Sequence, residues 1–153
     1  MWDSLSAGRS GIAPIEHFDA SDYPTRFAGY VRDFDPSGVI DGKEARRMSR
    51  FQQFAMVAAA EAMADAGLEK VPDDLAPRAG VIVGSGIGGL GTMEEQCAVL
   101  AERGPGRISP FLVPMMIVDL AAGHISITYG LKGINYAPVS ACATGNHAVG
   151  EAF

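Results

Sequence analysis

A short apolar run, Ala79 to Val83, empties into Gly84-Ser85-Gly86-Ile87-Gly88-Gly89, and little else in the sequence restricts the fold so tightly. A turn with so few side chains lets a neighbouring layer approach its backbone closely. Gly84, Gly86 and Gly89 also satisfy the G-x-G-x-x-G spacing of dinucleotide-binding turns. That reading requires a helix directly after the glycines and a second strand ending in an acidic residue about 20 residues on, to hold the ribose. Here that distance falls at Gly104-Pro105-Gly106-Arg107, which offers neither strand nor acid. The glycines are therefore assigned to close packing. The 19 glycines in 153 residues, with heavy use of alanine, extend that inference to the whole chain: its layers touch through backbone more than through large side chains.

A second segment has the same form. Asn135 to Ala141 is expected to be a strand that runs into Cys142-Ala143-Thr144-Gly145, followed by small residues to Phe153 that suit the start of a helix. Between the two strands, Thr92 and Glu95 form a capping-box pattern for a helix ending near Gly104-Pro105-Gly106. Pro114 suits the first turn of another helix, with Ile117, Ala121 and Ile125 on its apolar side and Gly130 at its end. Upstream, Asp41 and Glu44 form a further capping-box pattern, and Met48, Phe51, Ala55, Ala58, Ala62 and Ala66 predict one buried helix ending at Gly67. The first 40 residues, rich in Gly, Pro, Asp and Ser with aromatics at Phe18, Tyr23, Phe27, Tyr30 and Phe34, are expected to be extended loop with short strands. Strands alternating with helices predict an α/β layered fold. Met1 to Leu5 has helix character with no cap before it, so residues are expected to precede it in the intact protein.

Charge and cysteine content exclude several classes. A net charge of −6 and a pI near 4.9 argue against a nucleic-acid surface, which needs clustered Lys and Arg. The one positive concentration is Lys43, Arg46, Arg47 and Arg50, expected mostly on one side of a helix start. It is either a solvated helix face or a docking spot for an acidic partner. No Cys or His cluster has zinc-ligand spacing, and no run of about 18 apolar residues spans a bilayer. No metal, no nucleic acid, no membrane and a cytoplasmic location are the expectations.

Cys142 is the residue with chemistry in reach. A nucleophilic cysteine acts as thiolate, and the unpaired N–H groups and dipole at a helix N-terminus favour that form. The small neighbours Ala141, Ala143, Thr144 and Gly145 allow a sharp turn and a close substrate approach. A backbone N–H at such a turn also suits an oxyanion formed as a thioester carbonyl is attacked. Residue chemistry alone leaves two readings open, a nucleophile or a buried structural thiol.

The neighbourhood Val139-Ser140-Ala141-Cys142-Ala143-Thr144-Gly145-Asn146-His147-Ala148 resembles the nucleophile segment of elongating β-ketoacyl-acyl-carrier-protein synthases. The resemblance continues through Gly84 to Leu90, Ile108 to Met116 and Lys43 to Met48, in the family's order, and covers essentially the whole chain. Two departures are visible. Ile134 stands where the family usually has proline, and Asn146 occupies a variable position; altered local packing, not altered chemistry, is expected from them.

The resemblance implies a thiolase-like α/β layered fold, the first half of an αβαβα arrangement. Residues 1–153 would form most of the N-terminal half, with the first strand and the C-terminal half outside this sequence. It implies an acyltransferase of fatty acid elongation, working as a homodimer with acyl- and malonyl-carrier protein and using no cofactor beyond their phosphopantetheine. Cys142 would accept the acyl chain. Ile87, Ala141 and Phe111 would line the acyl pocket, and Lys43, Arg46 and Arg47 would dock the carrier; for Ile87 the plain alternative is an apolar turn residue packed on the core. The methionine-rich block from Phe111 to Met116 would serve a pocket wall or a dimer contact. The family's two catalytic histidines and its lysine belong to the second half, so His17, His124 and His147 take none of those roles. His147, five residues after Cys142, falls about 140° away around a helix and is a poor base partner for it. Structural or packing roles are expected for His124 and His147, and a core or interface role for Cys97. The alternatives are a polyketide-type ketosynthase, a non-catalytic chain-length subunit, and a piece of the synthase that is inactive by itself.

Overall fold

The computed structural model describes residues 2–153. The chain divides into two compact units, residues 1–35 and 36–153. The first holds helix α1 (Trp2–Ser6) and an antiparallel pair, β1 (Ile12–Pro14) with β2 (Phe27–Gly29), in register Ile12 to Gly29 and Pro14 to Phe27. Its aromatic residues pack on one another: the His17 ring lies 5.0 Å from that of Phe18 and 5.1 Å from that of Tyr30. The Tyr30 hydroxyl donates to the Pro14 carbonyl at 3.2 Å. Extended loop with short strands is what the sequence predicts here.

The second unit is the α/β part. It contains α2 (Gly42–Ala45), α3 (Arg50–Asp65), β3 (Val81–Ile82), α4 (Leu90–Arg103), α5 (Leu112–Met116), α6 (Leu120–Tyr129), β4 (Asn135–Tyr136) and α7 (Thr144–Ala152). Strands β3 and β4 pair in parallel, Val81 with Asn135 and Ile82 with Tyr136. The core gathers Ile40, Met48, Met56, Ile125 and Tyr129, with Val81, Val83 and Leu131 packed against it. Helices α3 and α6 make the broadest helix contact over this core.

Three expected elements differ in extent. The helix predicted from Asp41 to Gly67 is two helices. Asp41 caps α2, its carboxylate accepting from the N–H groups of Lys43 and Glu44, which holds its pKa below the ordinary aspartate value. Ser49 then adopts an extended backbone and caps α3, its N–H donating to Gln52 Oε1 at 2.8 Å. The core face of α3 is accordingly Gln52, Met56, Ala59 and Met63, while Ala58, Ala62 and Ala66 are exposed. The helix predicted from Thr92 begins two residues earlier, at Leu90, and Thr92 is buried inside it instead of capping it. The helix predicted through Ile117 is broken into α5 and α6, with Pro114 in the first turn of α5 as expected.

Both strands are shorter than predicted. Backbone bonds extend the pair one step upstream, Val81 N–H to Ile134 O at 2.7 Å and Gly133 N–H to Ala79 O at 2.9 Å. Downstream, Pro138 has no N–H to continue the ladder. Residues 137–140 therefore run on unpaired toward Cys142.

Candidate active site

Cys142 lies in a 3-10 turn, Ala141–Ala143, between β4 and α7. Ser140 ties this turn down at three points. Its N–H donates to Thr144 Oγ1 at 2.8 Å, its carbonyl accepts from Ala143 N–H at 3.0 Å, and its Oγ lies 2.6 Å from His147 Nδ1. Between these ties Ala141 has φ +50°, a left-handed conformation that costs a non-glycine residue on the order of 1–2 kcal/mol. The constrained backbone leaves Cys142 exposed immediately before α7. There the N–H groups of Ala143 and Thr144 close back on the carbonyls of Ser140 and Ala141, which fixes the turn that carries the sulfur. The backbone N–H of Cys142 itself suits an oxyanion on a thioester carbonyl drawn up to the sulfur.

Because β3 and β4 are parallel, the glycine turn that follows β3 emerges at the same edge as the cysteine turn. A Cβ at Gly84 would collide with the Thr144 methyl group and stand 3.0 Å from the Pro138 carbonyl; one at Gly86 would stand 3.5 Å from the Ala141 carbonyl. The close approach predicted for these glycines is thus made to the cysteine turn. At its far end the glycine turn meets α5. Gly88 has φ +82°, a Cβ at Gly89 would collide with the Met115 carbonyl, and the Gly89 N–H donates to Met116 O at 3.0 Å.

A buried polar cluster fixes that far end. Ser49 donates through its hydroxyl to Met115 O at 2.5 Å, and Thr92, 2.6 Å away, donates to Ser49 Oγ. Gln52, fully buried, accepts from the Ser49 N–H and donates to Pro114 O at 2.8 Å. The last carbonyls of α5, orphaned at a helix end, are thereby satisfied by Gln52, Ser49 and Gly89 in turn. The Ser49-x-x-Gln52 spacing is itself a capping-box signal that marks this cluster's start, in competition with the Asp41 pattern just upstream.

With this geometry in view, similarity to known proteins is decisive. Residues 1–153 match the family model described as "Beta-ketoacyl synthase, N-terminal domain". The chain belongs to this family. It is 49% identical over 152 residues to the "3-oxoacyl-[acyl-carrier-protein] synthase 2" of Coxiella burnetii, covering 99% of this chain and 36% of the relative. The ketoacyl synthase domain thus spans about a third of the length of the curated relatives it matches. A β-ketoacyl synthase from Burkholderia phymatum superposes with a TM-score of 0.80 at 27% identity, over all of this chain and 39% of that one. A type II polyketide ketosynthase solved with its acyl-carrier protein, AntDE:AntF, shares the fold with a TM-score of 0.68 at 23% identity, over 78% of this chain and 34% of that one. The fold is the α/β, thiolase-like one.

The other residues singled out in the sequence fall as follows. Ile87 is on the glycine turn with its side chain 68% exposed, so the plain alternative of core packing does not hold in this chain. Phe111 lies under the Arg47 guanidinium, 4.6 Å from ring centroid to cation, which joins a predicted pocket residue to a predicted docking residue. The basic group does not share one helix face: Lys43 is in α2, Arg46 caps its end, Arg47 is in the connecting turn and Arg50 opens α3. All four are exposed. Cys97 is exposed and so is not a core residue of this chain. Ile134 is also exposed and contributes its backbone carbonyl to Val81, so its departure from the family pattern changes no buried packing. His124 is half-buried, and desolvation lowers its pKa. His147 engages Ser140, an interaction that residue spacing around Cys142 did not suggest. Among the described residues no cluster of His, Cys, Asp or Glu could hold a metal, and no helix is long and apolar enough to cross a membrane.

Proposed function

We propose that this ketoacyl synthase domain supplies the acyl-accepting site of a 3-oxoacyl-[acyl-carrier-protein] synthase of fatty acid elongation, with Cys142 as the nucleophile. One observation carries the reading. In a chain 49% identical to such a synthase, the cysteine sits exposed on a constrained turn at the start of α7. Its sulfur attacks the thioester carbonyl of an acyl group held on carrier phosphopantetheine. The tetrahedral intermediate collapses, the carrier thiol leaves with the proton that Cys142 gave up, and the acyl chain stays on Cys142 as a thioester. Malonyl-carrier protein then loses carbon dioxide, and the resulting carbanion attacks the acyl-enzyme. The products are a β-ketoacyl-carrier protein two carbons longer and the Cys142 thiolate, which a proton from solvent returns to the thiol. No metal or resident cofactor takes part.

Ile87, Ala141 and Phe111 serve the acyl chain in this reading. Ala141 directly precedes Cys142, Ile87 follows Gly86 on the glycine turn that meets Ala141, and Phe111 precedes α5, against which that turn packs. Lys43, Arg46 and Arg47 offer exposed positive charge to an acidic carrier, and AntDE:AntF supports a carrier protein as the class of partner. The 153 residues are most of the N-terminal thiolase-like half of a synthase subunit that works as a cytoplasmic homodimer, with the groups for decarboxylation supplied by the subunit's other half. The 153 residues by themselves are therefore expected to yield no β-ketoacyl product.

The test is intact mass before and after incubation with a fatty acyl-carrier protein. An acyl adduct that disappears in Cys142→Ser and persists in Cys97→Ser supports the assignment. An adduct unaffected by Cys142→Ser overturns it. Transfer from a polyketide-type carrier in preference to the fatty acyl one would replace the elongation reading with that of a polyketide ketosynthase.

A further inference from the structure

The proposed chemistry assigns no part to His147, yet its Nδ1 makes a 2.6 Å bond to Ser140 Oγ, two residues before the nucleophile. We propose that His147 is a positioning residue which, through Ser140, holds the Cys142 turn against the start of α7. The inference rests on the reading of Cys142 as the acyl acceptor. Three features support it. Ala141 is left-handed without being glycine, so the turn between Ser140 and Ala143 relaxes unless both of its ends are held. Ser140 is that held end, and its contacts reach two successive levels of α7, Thr144 in the first turn and His147 one turn further on. Finally, the bond tolerates either form of the imidazole. Ser140 Oγ donates to an unprotonated Nδ1 and accepts from Nδ1–H, so the tie does not depend on the tautomer. His147 touches no reacting atom in this role; it acts by holding the backbone of the turn that carries Cys142.

Site-resolved alkylation tests the proposal. Iodoacetamide labelling of Cys142 and Cys97 is followed by peptide mass spectrometry at one fixed neutral pH in the wild-type protein and its variants. His147→Ala and Ser140→Ala are each expected to slow labelling at Cys142 about fivefold, the loss of one hydrogen bond's worth of positioning, and the double variant to be no slower than either single one. Labelling at Cys97, on α4, stays unchanged. His147→Asn, whose side-chain amide reaches the position of Nδ1, restores most of the wild-type rate. Unchanged Cys142 labelling in both alanine variants overturns the proposal, as does an equal fall at Cys97, which would mean general loosening. An asparagine variant as slow as the alanine one also overturns it. Acyl transfer from fatty acyl-carrier protein is read on the same samples. If no adduct forms on wild-type Cys142 while alkylation still falls in the variants, the acyl-acceptor reading fails and the positioning role stands.

Discussion

Two turns leave the same edge of one parallel strand pair, and they are built in opposite ways. The turn after β3 is lined by glycines because neighbours press on it from both sides: Thr144 and the Pro138 carbonyl at Gly84, and α5 at Gly88 and Gly89. The turn after β4 has open space around Gly145 and keeps its shape through the Ser140 ties, at the expense of a left-handed alanine. The first has no room for a side chain at Gly84, Gly88 or Gly89. The second is constrained locally and left open outward, so that Cys142 is held in place and still exposed. Glycine content therefore means different things fifty-odd residues apart, and substitutions separate the two meanings.

The largest effect is expected for Gly89→Ala. The added Cβ meets the Met115 carbonyl and comes within 2.6 Å of Ser49 Oγ, both already committed to the buried cluster. A loss of about 3 kcal/mol in denaturant unfolding is expected, the upper end for overpacking against backbone. Gln52→Leu comes next. It leaves Pro114 O and the Ser49 N–H without partners in a fully buried site, and a loss of about 2 kcal/mol is expected from the same unfolding measurement. Gly145→Ala should do the reverse. Nothing lies within 4 Å of its Cβ position and it sits in α7, so a gain of about 0.5–1 kcal/mol is expected. A destabilised Gly145→Ala, or a harmless Gly89→Ala, would break the contrast between the two turns.

The smallest effect is one of pH and lies on α6, outside both turns. His124 has a pKa lowered mainly by desolvation, so the folded state holds it neutral where an unfolded chain would take up a proton. Its contribution to stability is present above 6.5 and is lost as pH falls below that value through its folded pKa. Denaturant midpoints measured from pH 7.5 downward should therefore slope less in His124→Gln than in the wild type. Equal slopes would remove His124 as the cause.

Much of this was legible in the residues. The two strand-turn-helix units, the glycine turn as a place of close approach, the end of α4 at Gly104 and the α/β class follow from local pattern, because apolar periodicity and turn chemistry act over a few residues. Local pattern also misled. Asp41 and Thr92 carry the same capping-box spacing, yet Asp41 caps a four-residue helix and Thr92 is buried as a hydrogen-bond donor to Ser49. The stripe Ala58, Ala62 and Ala66 suggested a buried face, whereas α3 turns Gln52, Met56 and Met63 inward.

The sequence by itself determined which residues could form each element and which side chain brings a thiol to the turn after β4, since backbone preferences and side-chain chemistry are properties of the residues themselves. Only the tertiary structure decided what each turn rests on. Ser49 meets Met115 across 66 positions, Gly84 lies against Thr144, and Gln52 spends its amide on Pro114. Such contacts are set by which buried carbonyls are left without partners once helices end and layers close, and no window of neighbouring residues holds that information.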